Sequence, residues 1–166
     1  MEPTKVTHTF SPIFDENSRL LLLGTVPSVK SRETDFYYGH PQNRFWKVLA
    51  GLCREEMPIT QQEKKELLLR HGIALYDVVE SCTIIGSSDS SIRDVVPVNL
   101  QPILEKTGEI PIFANGAAAE KLYQKYLFPQ TNLPITKLPS TSPANGAWSL
   151  ERLLEAWGQA IKPWLK

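Results

Sequence analysis

The side chains that could do chemistry are concentrated after a run of four leucines at positions 20–23. Gly24-Thr25-Val26-Pro27-Ser28 comes first, and a segment rich in basic, aromatic and amide side chains follows it: Lys30, Arg32, Tyr37, Tyr38, His40, Asn43 and Arg44. Asn115 and residues 139–146 (PSTSPANG) add further neutral polar groups. An amide can hydrogen-bond the edge of a heterocycle, and an aromatic ring can stack on its face. These segments therefore favour a site for a planar, uncharged ring.

The common catalytic and cofactor motifs are absent from the sequence. It has no Gly-x-Ser-x-Gly elbow, no phosphate-binding loop, no Gly-x-Gly-x-x-Gly fingerprint and no His/Cys metal spacing. Of the three histidines, only His40 is placed for chemistry, because His8 lies in the polar lead-in and His71 at a predicted helix end. Cys53 and Cys82 are far apart and are predicted to be reduced thiols. We expect no metal and no cofactor.

Length and composition limit the classes of protein to which this chain could belong. With 166 residues, 42% of them hydrophobic, residues 1–166 are predicted to form one domain. The 18 basic and 18 acidic residues cancel, which argues against purely electrostatic nucleic-acid binding and leaves a local basic face around residues 19–47 possible. No segment approaches the roughly 18 apolar residues of a membrane span, and there is no signal-like start. A soluble, cytoplasmic protein is expected.

Hydrophobic patterns alternate between strands and helices along the chain. Strands are predicted at 19–25, 73–79, 110–114 and 134–138, with helices at 41–53, 60–71, after Asn99, at 117–127 and from Ser149 to 157. Residues 1–18 are a polar lead-in, and 81–93 is predicted to be a long loop. Such alternation predicts an α/β fold with a parallel sheet. In such sheets the loops at the carboxyl ends of the strands meet at one crevice.

Three motifs carry a family resemblance. Residues 24–28 (GTVPS), 38–46 (YGHPQNRFW) and 138–145 (LPSTSPAN) resemble the uracil-DNA glycosylase superfamily. The likeness is greatest to the mismatch-specific branch and, within it, to the hypoxanthine-DNA (deoxyinosine) glycosylases, and it spans about residues 20–157. It implies a three-layer α/β sandwich with a central four-stranded parallel sheet flanked by helices. It also implies a monomeric enzyme that flips a deaminated base out of DNA and hydrolyses its N-glycosidic bond without a metal.

The resemblance assigns roles to individual residues. The catalytic amide would be Asn43, the amide of the His-Pro-x-Asn string. Base and sugar contacts would come from Gly24, Thr25, Val26, Pro27, Ser28, Tyr38, His40 and Asn115. DNA contacts would come from Lys30, Arg32, Ser140, Thr141, Ser142, Pro143, Ala144 and Asn145, with Arg44 a further candidate for phosphate.

One difference from the mismatch-specific enzymes determines which DNA base we expect as the substrate. Val26 stands where the mismatch-specific enzymes have a water-positioning Asn, so we expect hypoxanthine rather than uracil as substrate. A uracil- or mismatch-specific glycosylase remains the alternative, as does a non-catalytic nucleic-acid-binding relative or a nucleotide-binding module. Asn43 and Asn115 could instead be a turn residue and a helix cap, and Asp89 either a solvated turn residue or a ligand for the sugar or for water.

Overall fold

The computed structural model describes residues 2–8, 10–26, 36–86 and 88–166. Numbered along the chain, the strands are β1 Thr4–Thr7, β2 Leu20–Gly24, β3 Ile73–Asp77, β4 Val79–Ile84, β5 Arg93–Pro97, β6 Ile112–Asn115 and β7 Ile135–Leu138. The helices are α1 Phe45–Cys53, α2 Gln61–Arg70, α3 Gln101–Thr107, α4 Ala117–Leu122, α5 Phe128–Thr131 and α6 Leu150–Ile161. A π-helical turn, Tyr123–Leu127, joins α4 to α5.

The central sheet is parallel and has four strands in the order β3-β2-β6-β7. All four leucines of β2 are completely buried. Because successive side chains point to opposite faces, Leu20 and Leu22 pack with α1, α2 and α6, while Leu21 and Leu23 pack with α3 and the π-helical turn. A continuous apolar strand is typical of a sheet covered on both faces. The predicted three-layer α/β sandwich is therefore confirmed.

A second sheet was not predicted. β1, β4 and β5 form an antiparallel sheet in the order β1-β4-β5, where the sequence had indicated a polar lead-in and a long loop. Only Val78 separates β3 from β4, so the chain leaves one sheet and enters the other directly. The partner of β4 on one side is β1, about 75 residues away in sequence (Val6 pairs with Cys82). Two strands that pair across so long a separation leave no local sequence pattern from which the pairing could be predicted.

Helix starts follow local side-chain hydrogen bonds. The capping box at Thr60 and Glu63 and the Ser149 cap both form as predicted. α1 begins at Phe45 rather than at residue 41, because the Asn43 carboxamide oxygen accepts the Phe45 backbone N–H at 3.0 Å. Such a bond competes with helix formation and places the Asn in a turn before the helix.

The register of the sheet determines which residues share its carboxyl edge. Gly24 lies beside Asp77, and Asn115 lies beside Leu138. Cys53 and Cys82 do not form a disulfide with each other; Cys82 is buried and Cys53 is half-buried. In the described part of the chain, no helix is both long and apolar enough to cross a membrane.

An ion-pair cluster lies at the opposite edge, before β3. Glu55 accepts hydrogen bonds from Arg70 Nε at 3.0 Å and Nη2 at 2.6 Å, and it also pairs with His71. These bonds, chiefly those of Arg70, lower the pKa of Glu55 to about 2 from an ordinary 4.5. A carboxyl whose pKa is lower in the folded state stabilises the fold above its unfolded pKa and loses that contribution as pH falls.

We therefore expect Glu55→Gln to flatten the pH dependence of stability on the acid side. Between about pH 5 and pH 2, the free energy of unfolding of the wild type should fall more steeply than that of the variant. Denaturant unfolding at a series of pH values measures this, with exposed neighbour Glu56→Gln as the control. Equal slopes for wild type and Glu55→Gln would contradict the assignment.

Candidate active site

A cavity of about 130 Å³ lies at the carboxyl edge of the central sheet. Drug-sized ligands occupy pockets of roughly 300–1,000 Å³, so this one suits a single small ring system. Many of its lining residues were predicted from the sequence: Gly24, Thr25, Val26, Tyr38, Asn43, Asn115, Ser140, Thr141 and Ser142. Asp89, which the sequence left open between a turn residue and a ligand, also lines the cavity. The remaining lining residues had been assigned no role in binding: Phe10, Tyr37, Asp77 and Ile84. The fold thus brings the three motifs together around one space.

Tyr38 forms an aromatic wall of the cavity. Its ring stacks on Phe45, with centroids 4.0 Å apart and planes 18° from parallel, which leaves only its other face for a ligand. Its backbone φ is 53°, in the left-handed region. The Tyr38 hydroxyl is buried, and no described residue hydrogen-bonds to it. Burial, and then the charge of Asp77, raise the pKa of Tyr38, so this hydroxyl remains a proton donor.

Thr141 links two asparagines beneath the cavity. Its hydroxyl donates to Asn43 Oδ1 at 2.8 Å and accepts from Asn115 Nδ2 at 3.0 Å, while its backbone N–H donates to Asn115 Oδ1 at 3.1 Å. Asn43 Oδ1 also accepts the Phe45 N–H, so both of its lone pairs are used. Asn43 Nδ2 has no partner among the described residues, and Asn43 is therefore left with a donor for a ligand.

Thr141 is completely buried, and it orders the side chains of two asparagines. Its predicted contact with DNA stays a prediction. Asn115 does not cap α4, whose preceding residue is Gly116 with no side-chain cap. Its carboxamide is used by Thr141.

Arg44 holds the 139–146 loop against the start of α1. Its guanidinium donates to the backbone carbonyls of Ser142 at 3.0 Å, of Asn145 at 3.1 Å and of Trp148, and its own N–H donates to the Thr141 carbonyl at 3.0 Å. The guanidinium is thus turned toward the protein, and the predicted phosphate contact of Arg44 stays a prediction. Asn43 and Arg44 together attach one motif to the other.

A buried histidine–carboxylate pair was missed by sequence reasoning. Asp77, only 4% exposed, lines the cavity, and His8 Nε2 lies 2.8 Å from its Oδ2. A Cβ at Gly24 would come within 2.4 Å of Asp77 Oδ1 and 2.6 Å of Tyr38 Oη, so only glycine fits beneath these two oxygens. The position of Asp77 at the end of an apolar strand was a usable signal. His8 gave none, since its contact with Asp77 spans 69 residues.

Asp89 lies at the mouth of the cavity. The residue as a whole is exposed, but its Oδ1 accepts a hydrogen bond from Thr25 Oγ1 at 3.3 Å. Desolvation by the surrounding protein raises the pKa of Asp89, and the Thr25 hydroxyl opposes this. Asp89 is also shared with an adjoining groove of about 480 Å³, which Ser140, Ser142, Ala144 and Asn145 line as well. The groove thus contains most of the predicted DNA-binding loop.

The remaining predicted residues are not placed at the cavity. Pro27, Ser28, Lys30 and Arg32 lie outside the described residues. His40 does not line the cavity, and its Nδ1 accepts the Gln42 N–H at 3.1 Å. Pro143 is exposed on the 139–146 loop. Within the described ranges, no cluster of three or more His, Cys, Asp or Glu side chains could hold a metal ion.

The fold and the cavity define an α/β protein with a small cavity at the carboxyl edge of a parallel sheet. The family model of the uracil DNA glycosylase superfamily matches residues 11–161. The chain belongs to this superfamily, which confirms the resemblance seen in the motifs.

Two curated relatives carry the name hypoxanthine DNA glycosylase. That of Methanosarcina acetivorans is 32% identical over 145 residues, covering 86% of this chain and 90% of the relative. That of Methanosarcina barkeri is 38% identical over 86 residues, covering 51% of this chain and 54%, about half, of the relative. A solution NMR structure from Methanosarcina acetivorans, provisionally described as a uracil DNA glycosylase, superposes with a TM-score of 0.76 at 30% identity. It covers 92% of this chain and 93% of its own.

The Thr141 network makes a prediction about stability. Thr141→Val preserves side-chain volume but removes one of the two hydrogen bonds to Asn43 Oδ1 and takes away the Thr141 oxygen to which Asn115 Nδ2 donates. We expect it to lower the free energy of unfolding by about 1–3 kcal/mol, the usual cost of an unsatisfied buried polar group. Denaturant unfolding measures the change. The same substitution at exposed Thr136 in β7 is the control, with an expected change of at most about 0.5 kcal/mol. Equal effects at the two positions would mean that the network does not stabilise the fold.

Proposed function

We propose that this protein is a monofunctional DNA glycosylase that flips hypoxanthine out of DNA and hydrolyses its N-glycosidic bond. We further propose that it acts as a cytoplasmic monomer, without a metal or cofactor, on DNA containing the deaminated base. Membership of the superfamily and the names of two relatives support a glycosylase. The cavity supports a base as the ligand, because it offers one aromatic face and several neutral hydrogen-bonding groups.

The observation that carries the proposal is the placement of Asn43. Val26 lies in the first motif and lines the same cavity, but its side chain cannot orient a water or a leaving base. Asn43 reaches the cavity from the turn before α1, and Thr141 and Phe45 hold its oxygen so that Nδ2 remains as a donor. This arrangement supports Asn43 as the catalytic amide.

Cleavage of the N-glycosidic bond needs little help from strong acids or bases. As the N-glycosidic bond breaks, positive charge develops on the sugar and negative charge on the departing base. Preorganised N–H and O–H donors stabilise such developing negative charge, often by a factor of about 10²–10³ for each group. The Tyr38 hydroxyl, which has no hydrogen-bond partner among the described residues, is a donor of this kind at the cavity, while Asn43 Nδ2 is a donor that can hold the attacking water. The DNA phosphates would remain near the developing cation.

Asp77 supports a deaminated base in particular. Deamination of adenine converts the bare ring nitrogen N1, an acceptor, into the N1–H donor of hypoxanthine. A carboxylate accepts such an N–H and repels a bare nitrogen. Asp77 Oδ2 is used by His8, and Oδ1 has no partner among the residues described. Uracil and xanthine also carry a ring N–H, so the same observation favours them as the second candidates.

The test of the proposal is cleavage of duplex oligonucleotides carrying a single hypoxanthine, uracil, xanthine or adenine, with alkali added after incubation. We expect strand scission at hypoxanthine, less at the other two deaminated bases and none at adenine. Asn43→Ala should slow single-turnover cleavage by at least about 10²-fold with DNA affinity little changed. Binding of the wild type without scission would identify a non-catalytic relative. Wild-type rates in Asn43→Ala would mean that Asn43 is a structural turn residue.

Asp77→Asn tests whether Asp77 recognises the ring N–H of the base. The new amide oxygen should accept from His8, which places an NH₂ donor where Oδ1 was. Cleavage of hypoxanthine should then fall by about 10–100-fold, as expected for one buried donor facing another. Cleavage of unsubstituted purine, whose bare N1 can accept from the new NH₂, should not fall, so the ratio of the hypoxanthine rate to the purine rate decreases. An unchanged ratio in a folded variant would remove Asp77 from base recognition.

A further inference from the structure

The hydrogen bonds of Asn43 limit what it can do for an attacking water. Both lone pairs of its Oδ1 are taken, by the Thr141 hydroxyl and by the Phe45 N–H. Its Nδ2 can donate to the oxygen of a water and so fix that water's position. It cannot accept a proton. If a protein side chain takes the proton that the water releases, it is therefore a residue other than Asn43.

Two carboxylates line the cavity, and they are placed differently. Asp77 is 4% exposed, is hydrogen-bonded to His8 and lies deep, over Gly24. Asp89 lies at the mouth, where the cavity meets the groove lined by the predicted DNA-binding loop. The sugar of a flipped nucleotide must sit between its base, in the cavity, and its phosphates, in the groove. Asp89 is therefore the carboxylate nearest to where the sugar belongs.

Asp89 is also held in place by its surroundings. Thr25, at the carboxyl end of β2, donates to Asp89 Oδ1 at 3.3 Å. The short 3₁₀ turn Asp89–Ser91 is fastened to the end of β4, because the Ser91 hydroxyl accepts the Ile85 N–H at 2.8 Å and donates to the Ser88 carbonyl at 2.7 Å. The carboxylate is thus oriented by two elements.

We propose that Asp89 is a second catalytic residue, which accepts the proton of the water that Asn43 positions. This rests on the proposed glycosylase activity. The water oxygen forms a bond to C1′, the C1′–N9 bond breaks with its electron pair leaving on the base, and one water proton passes to the Asp89 carboxylate. The negative charge of Asp89 also stabilises the cationic sugar before the water attacks.

The proposal implies a particular pH profile. Asp89 acts only when ionised, and desolvation raises its pKa above the ordinary 3.8. The rate should therefore fall on the acid side at a higher pH than an exposed aspartate would give. Among the described residues that line the two spaces with it, the titratable or charged ones are Tyr37, Tyr38 and Asp77 in the cavity and Lys137 in the groove, while β4 contributes the neutral Ile84.

The experiment compares Asp89→Asn with Asp94→Asn in single-turnover cleavage of hypoxanthine DNA across pH. Asp94 is exposed, lies five residues away and does not line the cavity, so it controls for the loss of one negative charge. Asp89→Asn should be about 10²–10⁴-fold slower and lose the acid limb of the profile. Its DNA affinity should be equal or greater, because a charge that repels phosphate is gone. Asp89→Glu should recover part of the rate, and Asp94→Asn should stay within about twofold.

The outcomes separate the two proposals. If the wild type cleaves hypoxanthine and Asp89→Asn keeps its rate and acid limb, Asp89 is not the proton acceptor, and the glycosylase proposal stands. Loss of rate explained by weaker DNA binding, or matched by Asp94→Asn, overturns the assignment in the same way. If the wild type cleaves none of the bases, the proposed function itself fails. Thermal unfolding of each variant checks that the fold is intact.

Discussion

The hydroxyl of Thr141 is the point on which the candidate site depends. It receives one hydrogen bond from Asn115 and gives one to Asn43, and it does so from a completely buried position. Three segments distant in sequence are joined by these bonds: the turn before α1, the end of β6 and the 139–146 loop. An Asn side chain in water presents its oxygen and its NH₂ group with equal ease. Here the protein uses the oxygen and leaves the NH₂, which is a form of preorganisation.

Neutral and charged side chains occupy different parts of the cavity. Neutral donors surround the space for a ring, and two carboxylates stand at its depth and its mouth. A buried charge is tolerated when a partner is near, and His8 meets that need for Asp77 at 2.8 Å. Asp89 has only a hydroxyl partner, Thr25, and its pKa is raised. A carboxylate held in place by His8 suits a group that recognises a base N–H, whereas a raised pKa suits a proton acceptor, so the two environments suit the two proposed roles.

Local sequence patterns predicted the strands and helices better than they predicted the contacts within the candidate site. The buried leucines of β2 and the capping box at Thr60 depend on neighbours in sequence, and both were found. The motifs also led to the Asn43 turn. What the sequence could not supply were contacts between distant residues: the β1–β4 pairing and His8 on Asp77. The inward turn of Arg44 belongs to the same group, since its side chain finds its carbonyl partners about 100 residues along the chain.

The central claim is that Thr141 acts on catalysis mainly by holding the Asn43 carboxamide. A double-mutant cycle tests it most directly, with single-turnover cleavage of hypoxanthine DNA measured for Thr141→Val, Asn43→Ala and the pair together. If the claim is right, Thr141→Val slows cleavage in the wild type and has much less effect once Asn43 is alanine. Two losses that multiply in the double variant would show that the residues act independently, and the account of the site would be wrong.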